Sequence, residues 1–398
     1  MRRTTLSNGL TLLHQETKDD TFAAALLIKV GSNHETEKEY GISHFIEHML
    51  FEGTKTRTAL DISREIEGLG GEIGAYTANE RTCYYLKALT KHAERSADVM
   101  LDIITDPLFS DKIMEKERNV ILSEINMRHD EPRYLQWDLL LSALFKDLPL
   151  GHPIIGNTKN IKGLKVEDLE AFFRKHYVAS NMTLSVVGPR KVLDMMKNKF
   201  SSIPKGKPNR LRYRYPYLRK RKLRREKRKI KQSYSVFGYR TVPLMHKDAA
   251  ALEMIRSILS KGMSGRIFDE LRNKRGLAYD LGAHHNPAVN YGFFAFYVST
   301  EPRNLSLCHR LIRKEIEKVS ALTDKEFIEA KNFLEGEIIM EKEDKSDLAD
   351  NLAFWDYAGD PRYKDNFLRA LKKVGVKDIR DTARRYFGKD YARVIIGP

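Results

Sequence analysis

The chain has 398 residues, 41% of them hydrophobic and 31% charged, with a formal net charge of +16 at pH 7. That length supports two domains with sizeable cores, and no run approaches the 18 apolar residues of a membrane-spanning helix. The only cysteines, Cys83 and Cys308, exclude a disulfide framework, and a reducing cytoplasm is the simplest compartment.

From the N-terminus, Met1-Arg2-Arg3-Thr4 lacks the apolar stretch of a signal peptide and leads into strand-like sequence around an Asn8-Gly9 turn. Residues 42–50 predict a helix: Ile42, Phe45, Ile46, Met49 and Leu50 form an i, i+3, i+4, i+7, i+8 apolar stripe, and Gly53 marks its stop. Away from the stripe lie His44, Glu47 and His48. Residues four apart stack on one helix face, so the two imidazoles can grip a single ion, with Glu47 close enough to reach a water bound to it. Two ordinary histidines on a helix surface would give the same pattern. A second helix is predicted from Ser110, an N-cap residue, through Asp111 to about Arg128. Glu117 and Glu124 lie two turns apart on it and are aligned. Glu124 is flanked by Ile121, Leu122 and Ile125, and a carboxylate partly buried among such neighbours needs a cation or strong hydrogen bonds. Catalytic zinc takes three protein ligands and keeps a fourth position open, so Glu124 is a candidate third ligand.

With His44-Phe45-Ile46-Glu47-His48 followed by Glu124, 76 residues beyond His48, the chain resembles the inverted-motif zinc peptidases, the inverzincins. Pitrilysin, insulysin and the mitochondrial processing peptidase are of this kind. The resemblance implies that His44, His48 and Glu124 bind one Zn2+ per chain, that Glu47 is the general base, and that Glu117 supports the zinc site from behind. It also implies that an extended peptide pairs with an edge strand at Gly74-Ala75-Tyr76-Thr77; many relatives have Asn where this chain has Gly74. In the C-terminal half, Arg272-Asn273-Lys274-Arg275-Gly276-Leu277-Ala278-Tyr279 matches the family's Arg/Tyr pair, seven residues apart, which contacts bound peptide. Arg272 and Tyr279 are thus the expected substrate-contacting pair, and Arg275 a surface charge.

Internal repetition sets the expected architecture. Arg174-Lys175-His176-Tyr177 followed by Val186-Val187-Gly188-Pro189 is echoed by Arg384-Arg385-Tyr386-Phe387 followed by Ile395-Ile396-Gly397-Pro398. Asn119 to Ile125 (NVILSEI) is echoed by Asn332 to Ile338 (NFLEGEI), and the offsets cluster between 208 and 213 residues. The pattern predicts an α+β fold of two homologous α/β domains with mainly antiparallel sheets, which by resemblance form half of a clamshell. The expected boundaries are 1–203 for a zinc-binding domain, 204–231 for a linker and 232–398 for a homologous domain without a metal site. The stretch opposite the motif, Leu252 to Lys261, contains no histidine. His284 and His285 are expected on or beside a strand, as a surface pair.

The linker is strongly basic. Between Lys205 and Lys231 stand 15 Lys or Arg and one acid, Glu226, so the rest of the chain is close to neutral. Pro204, Pro208 and Pro216 favour an extended connection, and Leu218 to Lys231 could turn helical when neutralised. The tract reads as a solvated linker, or as a contact for an acidic substrate, nucleic acid or an anionic membrane surface. The expected function is a zinc-dependent endopeptidase that cuts short or unfolded peptides inside an enclosed chamber. The alternatives are a presequence-type processing protease, or a scaffold or nucleic-acid-binding protein using the linker. Because the chain supplies one half of the family's chamber, the resemblance implies a homodimer, or a heterodimer with a metal-free subunit.

Overall fold

A computed structural model describes residues 1–146, 148–209 and 220–398. Eleven strands form two sheets among the described residues. The first contains β1 (Arg2–Thr5), β2 (Thr11–Glu16), β3 (Thr21–Ile28), β4 (Glu72–Thr77), β5 (Thr82–Leu89) and β6 (Met182–Gly188), in the order β1-β2-β6-β3-β5-β4. The second contains β7 (Lys222–Lys227), β8 (Ser233–Thr241), β9 (Ala278–Pro287), β10 (Gly292–Thr300) and β11 (Ala392–Gly397), in the order β7-β11-β8-β10-β9. All neighbours are antiparallel except β2 with β6 and β7 with β11. Apart from the extra hairpin strand β1, the second sheet repeats the first strand for strand, so the α+β class with mainly antiparallel sheets and the duplication are both present.

That correspondence corrects the reading of the basic tract. Leu218 and Arg219, with Tyr213, Tyr215, Pro216 and Tyr217, lie outside the described residues, but 222–227 is a strand rather than an inducible helix. Its place in the duplication explains why. β7 is the counterpart of β2, and its backbone pairs in parallel with β11, Ala392 opposite Lys222 through Gly397 opposite Lys227, as β2 pairs with β6. At a sheet edge the charged side chains stay in water while one row of backbone groups is bonded.

The interior strands are built from residues that suit burial on both faces. In β3, Phe22, Ala24, Leu26 and Ile28 join the main core of the first sheet, while the small Ala23 and Ala25 point the other way and are also buried. In β6, Met182, Leu184 and Val186 enter that core and Thr183, Ser185 and Val187 face away. The second sheet is likewise covered twice. Phe237, Phe294 and Phe296 enter one cluster; Val236, Phe293, Ala295, Val394 and Ile396 enter another on the opposite side. Cys83 and Cys308 are free and buried. Asn8-Gly9 makes the β1–β2 turn, with Gly9 at φ +92° and Gly9 N–H donating to the Leu6 carbonyl.

Contacts divide the chain into two compact units that cut across the boundaries at 203 and 231. The first takes the described parts of 1–127, 152–211 and 341–362; the second takes those of 128–151, 212–340 and 363–398. Each sheet therefore receives one helix from the other repeat. Lys345–Ala358 packs on β3 and β6, where Ala23 and Ala25 leave room, and its Asp356 binds Arg3 at 2.6 Å. Pro132–Phe145 packs on β8 and β11, burying Leu135, Leu139, Leu140, Leu144 and Phe145 against that face.

Of the expected surface pair, only His284 is exposed. The two alternate across β9: His285 is buried with Nδ1 2.7 Å from Glu253 Oε2, and His284 packs edge-on against Trp137 of the transferred helix. The alternation of side chains along the strand separates the pair, burying His285 and leaving His284 exposed on the opposite face.

Leu140→Ala removes a fully buried side chain from the helix received by the second sheet. It is expected to cost about 2–5 kcal/mol of unfolding free energy, measured by urea denaturation followed by circular dichroism; a loss below about 1 kcal/mol would show that this helix does not carry the packing described.

Candidate metal centre

The motif helix spans Ile42–Phe51, and the whole predicted stripe, Ile42, Phe45, Ile46, Met49 and Leu50, is buried in the first unit's core. Its start is fixed by two devices. Gly41 adopts φ +95°, a conformation that favours glycine, and a side chain there would collide with the Ile155 carbonyl and Gly156. Glu35 then caps the first turn: Oε2 accepts from Gly41 N–H at 2.8 Å and Oε1 from Ser43 N–H at 2.9 Å. Burial pushes the Glu35 carboxyl up to about 7, outweighing those two hydrogen bonds. No capping signature announces Glu35 in the sequence, because it reaches the helix from a loop.

The second helix runs Asp111–Asp130, with the Ser110 hydroxyl accepting from Ile113 N–H at 3.4 Å, as predicted for its cap. Arg118, which sequence reasoning passed over, pins this helix in place. It donates to the Leu164 carbonyl at 2.9 Å and to the Ile161 carbonyl, and its guanidinium lies 5.7 Å from the Phe45 ring of the motif helix. The effect is to hold Glu117 and Glu124 against His44 and His48.

His48 Nε2 lies 3.7 Å and His44 Nε2 3.9 Å from Glu124 Oε2. One ligand atom from each of His44, His48 and Glu124 falls within 4.8 Å of the others. Three donors bound at about 2.0–2.1 Å around a tetrahedral zinc would be about 3.4 Å apart, so this donor set fits the metal with small adjustment. On the far side of the ring, His48 Nδ1 lies 3.1 Å from Glu117 Oε2. A proton held on Nδ1 by that carboxylate leaves Nε2 with its lone pair toward Glu124, the arrangement in which a carboxylate orients a metal-binding imidazole. Glu117 is buried and its other oxygen lies 3.4 Å from Lys116 Nζ.

Glu47 faces the same region. Burial raises its carboxyl above the usual range, while the Thr77 hydroxyl, donating to Oε2, and the neighbouring His48 act in the other direction. Thr77 ends β4, the edge of the first sheet, so the candidate edge strand and the candidate base are joined by a hydrogen bond that the sequence did not disclose. Along β4, Ala75 packs against the core, whereas Tyr76 turns to the other face and donates to Asp350 Oδ1 at 2.6 Å. Gly74 leaves space that the Tyr85 phenol occupies, and a side chain there would collide with it. That accounts for glycine at this position.

Arg272 and Tyr279 belong to the second unit. They form a pair of their own: the Arg272 guanidinium lies 4.2 Å from the Tyr279 ring, and Tyr279 is 78% exposed. Arg275 pairs with Glu270 at 2.9 Å, as a surface charge. The second unit also shows what stands where its metal site would be. Glu337, the repeat partner of Glu124, binds Arg256 Nη2 at 2.6 Å, and Glu329 binds Lys261 Nζ at 2.6 Å. Both cations project from Ala249–Ser260 or its C-cap, the helix opposite the motif helix.

Glu35 yields a pH test. Its folded-state pKa is raised, so the stability it contributes is complete below about 4.5 and is lost as pH rises through about 7. In metal-free protein, the stability difference between wild type and Glu35→Gln should fall by up to about 3 kcal/mol across that window. A difference independent of pH, by urea denaturation, would refute the assignment.

Similar proteins place the chain in a family. The family described as insulinase (peptidase family M16) matches residues 10–158, and the peptidase M16 inactive domain matches 163–334. A Rickettsia felis protein named uncharacterized zinc protease is 32% identical over 99% of this chain and 96% of its own. A Bacillus subtilis protein named uncharacterized zinc protease YmxG is 29% identical over 100% of this chain and 98% of its own. In fold, a protease from Helicobacter pylori superposes with a TM-score of 0.93 at 22% identity, over 100% of this chain and 99% of that one. Spanned from end to end by such relatives, the chain belongs to peptidase family M16, in its two-domain, pitrilysin-like half form.

Proposed function

We propose that the chain is a zinc-dependent endopeptidase acting on short or unfolded peptides, with His44, His48 and Glu124 as zinc ligands and Glu47 as the general base. The observation that carries this reading is the convergence of three ligand atoms within 4.8 Å beside a carboxylate bonded to the edge strand. Zinc held there supplies a Lewis acid that polarises the scissile carbonyl and acidifies a water.

The chain's own residues supply the rest. Glu47, with its proton affinity raised by burial, accepts a proton from the attacking water and delivers it to the leaving amine. The Thr77 hydroxyl holds the Glu47 carboxylate in one orientation. Glu117 fixes the ring of His48. An extended peptide pairs with the open side of β4 along Gly74, Ala75, Tyr76 and Thr77, so main-chain bonds position it without reading its sequence. Arg272 and Tyr279 contact bound peptide, and a second copy of the chain completes an enclosed chamber that admits peptides and excludes folded proteins. Among the described residues no helix is long and apolar enough to cross a membrane.

Glu47→Gln should retain zinc and lower kcat by about 10²–10⁴-fold on a mixed peptide set, read by mass spectrometry; undiminished turnover would end the assignment of Glu47. Glu117→Ala should weaken zinc binding by about 10–100-fold in competition with a chelator, and unchanged affinity would show that Glu117 does not orient His48.

A further inference from the structure

A second cluster of charged side chains lies in the other unit, at the β7 edge of its sheet. Arg393 stands on β11, only 9% exposed, with one hydrogen bond, from Nε to Ser235 Oγ at 3.4 Å. Its two terminal nitrogens have no acceptor among the described residues. Arg221, just before β7, and Arg313, on the helix Leu305–Glu317, bring their guanidinium carbons to 5.1 and 5.4 Å from the ring of buried Tyr391. His309, one turn before Arg313, packs edge-on against Phe237, and its Nε2 is buried without a hydrogen-bond partner. Arg225 lies on β7 opposite Ile395, two residues beyond Arg393.

No carboxylate answers these charges. Among the described residues, none of Arg221, Arg225, Arg313 and Arg393 lies within ion-pair distance of an acid. The neighbouring Glu226 is taken by Arg228 at 2.6 Å, and Glu317, one turn beyond Arg313, is exposed on the helix surface. The strain registers on the cluster itself. His309 is driven down to about 3 by burial and by Arg393, Arg313 and Arg221 together. Burial lowers Arg393 as well, and Arg221 and Arg225 add to the effect. A buried guanidinium facing like charges is held at a cost to the fold, and an anion would remove that cost.

We propose that Arg221, Arg313 and Arg393, gathered around Tyr391 and His309, form a binding site for phosphate groups, which Arg225 and the exposed basic residues of β7 extend along a phosphate chain. Guanidinium forks match phosphate oxygens in pairs. Three converging cations call for an anion of more than one charge, which a single carboxylate does not supply. The tract of 15 basic residues and one acid that leads into β7 and past it matches a series of phosphates better than an isolated ion. This site is separate from the metal centre and does not depend on the peptidase reading.

The test uses the full chain at fixed ionic strength with two probes, inorganic pyrophosphate by calorimetry and a labelled single-stranded oligonucleotide by fluorescence anisotropy. Wild type should bind pyrophosphate, and Arg221→Gln/Arg313→Gln should weaken binding at least tenfold. Lys159→Gln/Lys162→Gln, an equal charge change on exposed residues of the other unit, should alter binding by less than twofold. Tighter binding of the oligonucleotide, lost in the same arginine variant, identifies the source as a phosphodiester chain; binding of pyrophosphate alone identifies a small phosphate. Resonances of the His309 ring should shift in wild-type protein as pyrophosphate saturates, a readout that needs no variant. Absence of pyrophosphate binding, an unmoved His309 ring, or equal losses in both double variants would overturn the site in favour of diffuse charge attraction.

Discussion

A carboxylate on one helix that must meet a cation on the next is the constraint around which both units are organised. In the first unit, Glu35, Glu47 and Glu117 crowd into the surroundings of a single ten-residue helix, and Glu124 completes the ring of acids. Negative charge at that density in a poorly solvated region is unfavourable unless positive charge enters it. The second unit meets the same requirement with covalently attached cations, Arg256 and Lys261 facing Glu337 and Glu329. One repeat thus leaves room for a cation from solvent, the zinc of the proposed function, whereas the other builds its cation in. Arg118 and Glu35 fit the same logic, since both fix the position of the helices that bear the acids.

Much of this site was legible because its chemistry is written in spacing. The i, i+4 histidines, the intervening Glu47, and Glu117 and Glu124 two turns apart each follow from helical geometry, and the apolar stripe of the motif helix fixes which face they share. What stayed hidden depends on contacts between residues far apart in the chain. The Thr77–Glu47 hydrogen bond joins a strand end to a helix, and the cap from Glu35 comes from a loop. Gly74 stands where many relatives have Asn, and the space it leaves is filled by Tyr85 from the neighbouring strand.

The basic tract misled for a related reason. Charge density suggested a solvated or inducible segment, whereas the duplication places a strand at 222–227, where backbone pairing with β11 decides the conformation and the side chains merely tolerate it. Composition predicted what the residues would do with water; the repeat predicted what the backbone would do, and the backbone prevailed. His285 shows the same competition, since its place on the inward face of β9 buries it while neighbouring His284 stays exposed.

The exchange of one helix between the repeats bears on the order in which the protein can be made. The face of β3 and β6 is covered by Lys345–Ala358, which is synthesised after both sheets have largely been translated, with only β11 still to come. Domains commonly fold as they leave the ribosome, N-terminal first. Here the first sheet must wait, with one face bare, until nine-tenths of the chain exists, whereas the second sheet has its foreign helix, Pro132–Phe145, in hand before its own first strand appears. The N-terminal repeat, which carries the candidate metal centre, thus has all its strands by Gly188 but keeps one face of the sheet bare until the second repeat is nearly made, and a nascent chain halted between the repeats would present that bare face to whatever it meets.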